Sequence, residues 1–137
     1  MVGYLLDTNV ISETRKVRPE PSVVALIRTA DAARLFLSVL TLGELRKGVA
    51  ARRRTDAAAA DQLEGWVDGI ETMFADRVLP VDAAAARIWG ELSAGHSRPV
   101  IDTLIAATAI ASGLTLVTRN TRDVAATGVP LVDPWQA

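Results

Sequence analysis

Asp7, Glu44, Asp102 and the pair Asn120 and Asp123 are the residues of this chain whose types and settings are best suited to chemistry. Asp7 ends the short apolar run Tyr4-Leu5-Leu6, and Thr8 and Asn9 follow it, both suited to a turn or a helix start. Glu44 lies in Thr41-Leu42-Gly43-Glu44-Leu45, where Gly43 leaves room for close approach of backbone or ligand. Asp102 stands near the head of Pro99-Val100-Ile101-Asp102-Thr103-Leu104-Ile105-Ala106. A helix that is apolar on most sides is buried, so an acid at its head needs a partner or a metal. Asn120 and Asp123 fall in Thr118-Arg119-Asn120-Thr121-Arg122-Asp123, directly after another apolar run. Each acid also has a plainer reading: Asp7 and Asp102 as helix caps, Asp123 as a surface partner of Arg119 or Arg122. Brought together, these groups repel one another, and a hard divalent cation removes the penalty. Oxygen-only ligands favour magnesium, with manganese as a substitute, and magnesium keeps several waters and takes few carboxylates directly. A water polarised by such a cation beside a phosphodiester is a hydrolytic nucleophile.

The composition narrows the classes. At 137 residues the chain is read as one domain, 1–137, with enough apolar content, 50%, to form a core built mostly of Ala, Leu, Val and Ile. The absence of cysteine excludes disulfides and thiolate metal sites, and the single histidine, His96, argues against a His-rich zinc site. No apolar run approaches the roughly 20 residues that span a bilayer, and the start lacks a secretory pattern, so a cytoplasmic protein with no membrane partner is expected. A net charge of −1 does not announce a nucleic-acid binder. The basic residues do cluster, as Arg15, Lys16 and Arg18 and as Arg46, Lys47, Arg52, Arg53 and Arg54. Such clusters contact phosphates or simply solvate helix ends.

Strand and helix patterns alternate along the chain. Tyr4–Leu6, Leu35–Leu37, Val78–Leu79, Leu114–Val117 and Val129–Val132 read as strands. A helix opened by Pro19 and Pro21 runs through Asp31, and another starts at Ser38 or Thr41 with Leu42, Leu45 and Val49 on one face. Thr55 or Asp56 caps a longer helix to about Phe74. Asp82 caps Ala83 to Ser93, which is expected to bury Ile88, Trp89 and Leu92. Ile101 to Ser112 forms a helix closed by Gly113, and Thr121 to Ala125 a short helical turn. The alternation implies an α/β fold, a parallel sheet with helices on both faces, and the acids then fall at strand ends or in early helical turns.

The pieces Leu5-Leu6-Asp7-Thr8-Asn9-Val10-Ile11-Ser12-Glu13, Ser38 to Leu45, Ile101-Asp102-Thr103-Leu104-Ile105-Ala106-Ala107-Thr108-Ala109, Thr118 to Asp123 and Asp133-Pro134-Trp135 together resemble a PIN-domain ribonuclease of the VapC-like toxin group found in type II toxin–antitoxin pairs. Each piece is weak alone; their order and spacing, from residue 1 almost to the end, make the resemblance specific. It implies a Rossmann-like, five-stranded PIN domain, a homodimer, an RNA substrate and a cognate antitoxin that blocks the site. Carried over, Asp7, Glu44 and Asp102 match the family's acidic positions, Asp7 and Asp102 being the expected metal ligands. Thr8 matches a supporting hydroxyl, and Thr118 and Asn120 are expected to support the site. The fourth acid commonly stands where this chain has Asn120, which leaves open whether Asp123 substitutes as the fourth catalytic acid or whether three acids suffice.

Two rival readings are weighed against that one. A phosphoryl-transfer enzyme with Asp7 as covalent nucleophile lacks its second acid, because residue 9 is Asn, and has Arg119 rather than Lys after the fourth strand. A non-catalytic binding module on the same fold would need a broken acidic set, and only Asn120 hints at one.

Overall fold

The apolar triplet Tyr4–Leu6 forms β1, the central strand of the computed structural model, which describes residues 2–136. Beside it lie β2 (Leu35–Ser38) and β4 (Thr115–Val117), with β3 (Val78–Leu79) and β5 (Leu131–Val132) at the edges. The order is β3-β2-β1-β4-β5, and every neighbouring pair is parallel. Parallel strands need crossovers, so helices cover both faces and the strands are mostly apolar, with Ser38 and Thr115 only at strand ends.

The period of two along β1 divides the core. Leu6, with Leu35, Leu37 and Val117, packs under α1 (Thr8–Glu13), α2 (Pro21–Thr29), α3 (Val39–Arg53) and α4 (Ala57–Met73) through Val10, Ile11, Val23, Leu45, Val49, Val67 and Ile70. Leu5 and Leu116 face the other way, onto Ile105, Ala106 and Ala109 of α6 (Val100–Ala111). Leu5, Leu6, Leu37 and Leu116 are fully buried, and each such side chain contributes about 2 kcal/mol.

Helix starts follow their capping residues. Ser38 rather than Thr41 caps α3, its hydroxyl accepting from Leu40 N at 3.0 Å. Asp56 rather than Thr55 caps α4 at Ala59 N, and Asp82 caps α5 (Ala83–Ser93) at Ala85 N. At the far end of α6, Gly113 takes φ +66°, a left-handed conformation that glycine adopts without strain. Within the basic cluster of α3, Arg46 pairs with Asp68 and Glu71, and Arg53 with Asp61 and Glu64, all on α4. These exposed pairs tie α3 to α4 and add little to stability, because solvent screens them.

Several boundaries differ from the sequence expectations. The helix expected through Asp31 stops at Thr29, because Ala30 is extended and Asp31 instead caps a 3-10 turn over Ala32–Arg34. The second strand gains Ser38, and the fourth and fifth lose Leu114 and Val129-Pro130. The helix before the fourth strand lies one residue earlier than expected, at Val100–Ala111. The last turn splits into α7 (Thr121–Val124) and a 3-10 turn over Ala125–Thr127. The largest difference is α5. Ala85 is buried there, whereas Ile88, Trp89 and Leu92 are only half-buried, because α5 lies outside α6 and not against the sheet. Met1 and Ala137, the two ends of the expected domain 1–137, lie outside the described residues.

Candidate active site

Asp7 leaves β1 at its carboxyl end, and its own N–H still bonds to Val117 O at 2.9 Å, extending the register with β4. The next residue starts α1, so the side chain is both a helix cap and a member of the cleft. Asp7 Oδ1 accepts from Thr8 N at 2.8 Å, and Oδ2 accepts from Thr118 Oγ1 at 2.8 Å. The capping reading of Asp7 therefore holds, and it does not exclude a second role for the same carboxylate. A capping oxygen keeps a second lone pair for another partner.

Thr118, at the end of β4 and fully buried, is the hub of this corner. Its hydroxyl donates to Asp7 and accepts from Asn120 N at 3.0 Å and Asn9 Nδ2 at 3.3 Å. Asn9 Oδ1 accepts from Arg119 N at 3.2 Å, so the loop after β4 is laced to the start of α1. Thr118→Val keeps the shape and deletes these bonds. It is expected to lower stability by about 2 kcal/mol, read from urea unfolding, because it strands a buried carboxylate oxygen and a buried N–H. A loss below a few tenths of a kcal/mol would show that water replaces the hydroxyl.

Glu44 reaches the same cleft from the second turn of α3. Thr8 Oγ1 donates to Glu44 Oε1 at 2.6 Å and lies 3.2 Å from Thr41 Oγ1. A hydroxyl has one proton, so the fully buried Thr41 must donate to Thr8, giving a chain from Thr41 through Thr8 to Glu44. Asp102 comes from the first turn of α6, where Pro99 occupies the capping position, so the cap reading of Asp102 is overturned. Its Oδ2 accepts from Asn120 Nδ2 at 2.8 Å. Asn120 thus meets Asp102 through its amide donor. Asp123, in α7, is half-buried and close enough to Asp102 to disfavour its ionisation. The surface pairing considered for Asp123 is absent among the described residues. Arg119 lies over the Trp135 ring instead, 5.0 Å from its centroid.

The electrostatics follow from this gathering. Burial raises the Asp7 carboxyl above its ordinary range, the bonds from Thr118 and Thr8 N oppose that, and the charges of Asp102 and Glu44 raise it further. Asp102 is raised by burial, then by Glu44 and by Asp123, with the bond from Asn120 opposing. Acids that raise one another in a water-accessible cleft suit a hard cation. Among the described residues no three acidic or histidine side chains stand close enough to cage an ion alone. Magnesium does not require such a cage, since it binds through one or two carboxylates plus waters. On that donor chemistry Asp7 and Asp102 could hold one. Asn9 and Thr41 were not singled out as site residues from the sequence. Thr-Asn directly after Asp7 was a signal for Asn9, whereas nothing local marks Thr41.

The PIN domain family model matches residues 4–128. The VapC ribonuclease Y4jK of Sinorhizobium fredii is 41% identical over 141 residues, covering 96% of this chain and 97% of that protein. Toxin FitB of Neisseria gonorrhoeae is 36% identical over 138 residues, covering 96% and 97%. The crystal structure of FitAcB from the same organism superposes with a TM-score of 0.89 at 34% identity, covering 98% of this chain and 99% of the matched chain.

Proposed function

Because the chain belongs to the PIN domain family, we propose that it is a divalent-metal-dependent endoribonuclease, the toxin of a toxin–antitoxin pair, acting in the cytoplasm as a homodimeric single domain. The observation that carries this reading is the meeting of Asp7, Glu44 and Asp102 at the carboxyl end of β1, each in range of the others' charge. The names of the ribonuclease and toxin relatives support it at the level of the reaction.

A divalent cation on Asp7 and Asp102, magnesium or manganese, supplies charge neutralisation at the phosphodiester and activation of a water. The chain's own residues do the rest. Thr118 and Thr8 N fix both Asp7 oxygens, so that carboxylate is oriented before substrate arrives. Asn120 does the same for Asp102. With Oε1 committed to Thr8, Glu44 has Oε2 left to take the proton of the attacking water. The water oxygen bonds to phosphorus, the bond to the leaving ribose oxygen breaks, and that oxygen takes a proton from solvent to leave as a hydroxyl.

The antitoxin belongs to the same proposal. A cluster of acids with no lysine bonded to it invites an arginine or lysine from an inhibitory segment whose apolar residues lie along the neighbouring helix groove. Incubation with total RNA tests the reading. Discrete fragments are expected with magnesium or manganese, none with a chelator, and none once the product of the adjacent open reading frame is bound. RNA that stays intact under all metal conditions overturns it.

A further inference from the structure

Two clefts meet at Glu44. One, of about 300 Å³, is lined by Thr8, Ser12, Arg15, Glu44, Leu63 and Trp66 with their neighbours. The other, of about 280 Å³, shares that carboxylate and is lined by Gly43, Lys47 and Ile101 among others. Most of the basic side chains nearby are already engaged. Lys16 is held by Glu13 at 2.8 Å, Arg46 by Asp68 and Glu71, and Arg119 lies on Trp135. Among the described residues Arg15 and Lys47 form no side-chain hydrogen bond or ion pair, and both are exposed. They leave one free cation in each of the two clefts that meet at Glu44. Trp66 packs against the core beneath it, so its ring is a fixed wall of the Arg15 cleft. Gly43 has no atom within 4 Å of where a Cβ would stand, which keeps the Lys47 cleft open.

We propose, resting on the ribonuclease reading above, that these two clefts form one track for single-stranded RNA, in which Arg15 and Lys47 bind the phosphates flanking the one at the acids and Trp66 packs against the base on the Arg15 side. The charge order, cation, acids, cation, matches a polyanion whose central phosphate sits on a metal held by the acids. A single basic side chain of an inhibitory segment fits the acids as well, but an extended basic segment lying along both clefts would meet repulsion at Arg15 and Lys47. An unstacked base has an aromatic face to lay on Trp66, which a base inside a duplex lacks.

Binding of a short fluorescein-labelled oligouridylate, followed by anisotropy over a salt series with calcium in place of magnesium, tests the track. Each phosphate contact on a single strand contributes about 0.7 to the slope of log affinity against log salt. Arg15→Gln and Lys47→Gln are each expected to reduce the slope by about that amount, and Arg15→Lys to keep it. Trp66→Leu should weaken binding about tenfold with the slope unchanged, and Trp66→Phe, which retains packing and a stacking face, should restore most of it. Arg87→Gln, on exposed α5 outside both clefts, is the control and should change neither. Unchanged slopes in both glutamine variants overturn the proposal, as does a wild-type protein that does not bind the oligonucleotide. A wild type that binds with these slopes yet leaves RNA intact retires the nuclease reading and leaves the track standing.

Discussion

Asp7→Asn and Asp102→Asn proteins are expected to lose RNA cleavage by about a thousandfold or more while remaining folded, since neutralisation of phosphodiester charge by a held cation is worth several kcal/mol of barrier. The same variants separate catalytic acids from structural caps through their metal-free stability. Both carboxyls are raised in the folded protein by burial first and by neighbouring carboxylates after it. A folded-state value raised above the unfolded one means that the folded protein holds its proton more tightly. Without metal, stability is therefore favoured on the acidic side and is lost as pH rises from the unfolded value through the raised one, leaving it lowest at neutral pH. Removing the charge removes that loss. Asp102→Asn should melt a few degrees above wild type at neutral pH in a chelator, at roughly 3 °C per kcal/mol, and the gap should close towards acid. Asp7→Asn should gain less, because its new amide would face a Thr118 hydroxyl already accepting from Asn120 N and Asn9. Added magnesium should stabilise wild type and not the variants. If both variants melt well below wild type without metal, the two carboxylates serve the fold and the metal reading fails.

The middle of the sheet was legible because its three central strands are short apolar runs cut off by a polar residue: Asp7 after Leu6, Ser38 after Leu37, Thr118 after Val117. Those same breaks put the acids and their supports at one edge. Helix ends were legible where a cap stood alone, as at Asp82. They were ambiguous where two candidates were adjacent, as at Thr55 and Asp56, since only the turn geometry selects between them. The half-burial of Trp89 was not legible, because an amphipathic pattern shows which side faces inward and not how much covers it. The hydroxyl chain from Thr41 to Glu44 was not legible for a different reason. Thr41 is at helical spacing for a core position, and its contact with Thr8 spans 33 residues of sequence. The orientation of Asn120 depends in the same way on α6 and the loop after β4 meeting at the sheet edge.

That orientation decides what the departure at Asn120 can mean. Asn120 Nδ2 donates to Asp102 Oδ2, so its role towards Asp102 is to favour the charged form, and it brings no charge of its own. Asp123 opposes Asp102 electrostatically and is free of the pairing with Arg119 or Arg122 that would make it a surface residue. A carboxylate in that position is suited to hold a metal-bound water in the outer shell, where a substitution typically costs about tenfold to a hundredfold in affinity or rate. Asp123→Asn is therefore expected to weaken magnesium affinity and slow single-turnover cleavage about tenfold. Asn120→Asp on that background should restore much of both, because it returns a negative charge beside Asp102. Asn120→Asp alone should destabilise the metal-free protein, since it replaces a 2.8 Å hydrogen bond by two opposed carboxylates, and magnesium should recover that loss. A metal titration read beside single-turnover rates decides the matter. An Asp123→Asn protein with unchanged affinity and rate would leave Asp7, Glu44 and Asp102 as the complete acidic set, with Asn120 holding the last of them in place.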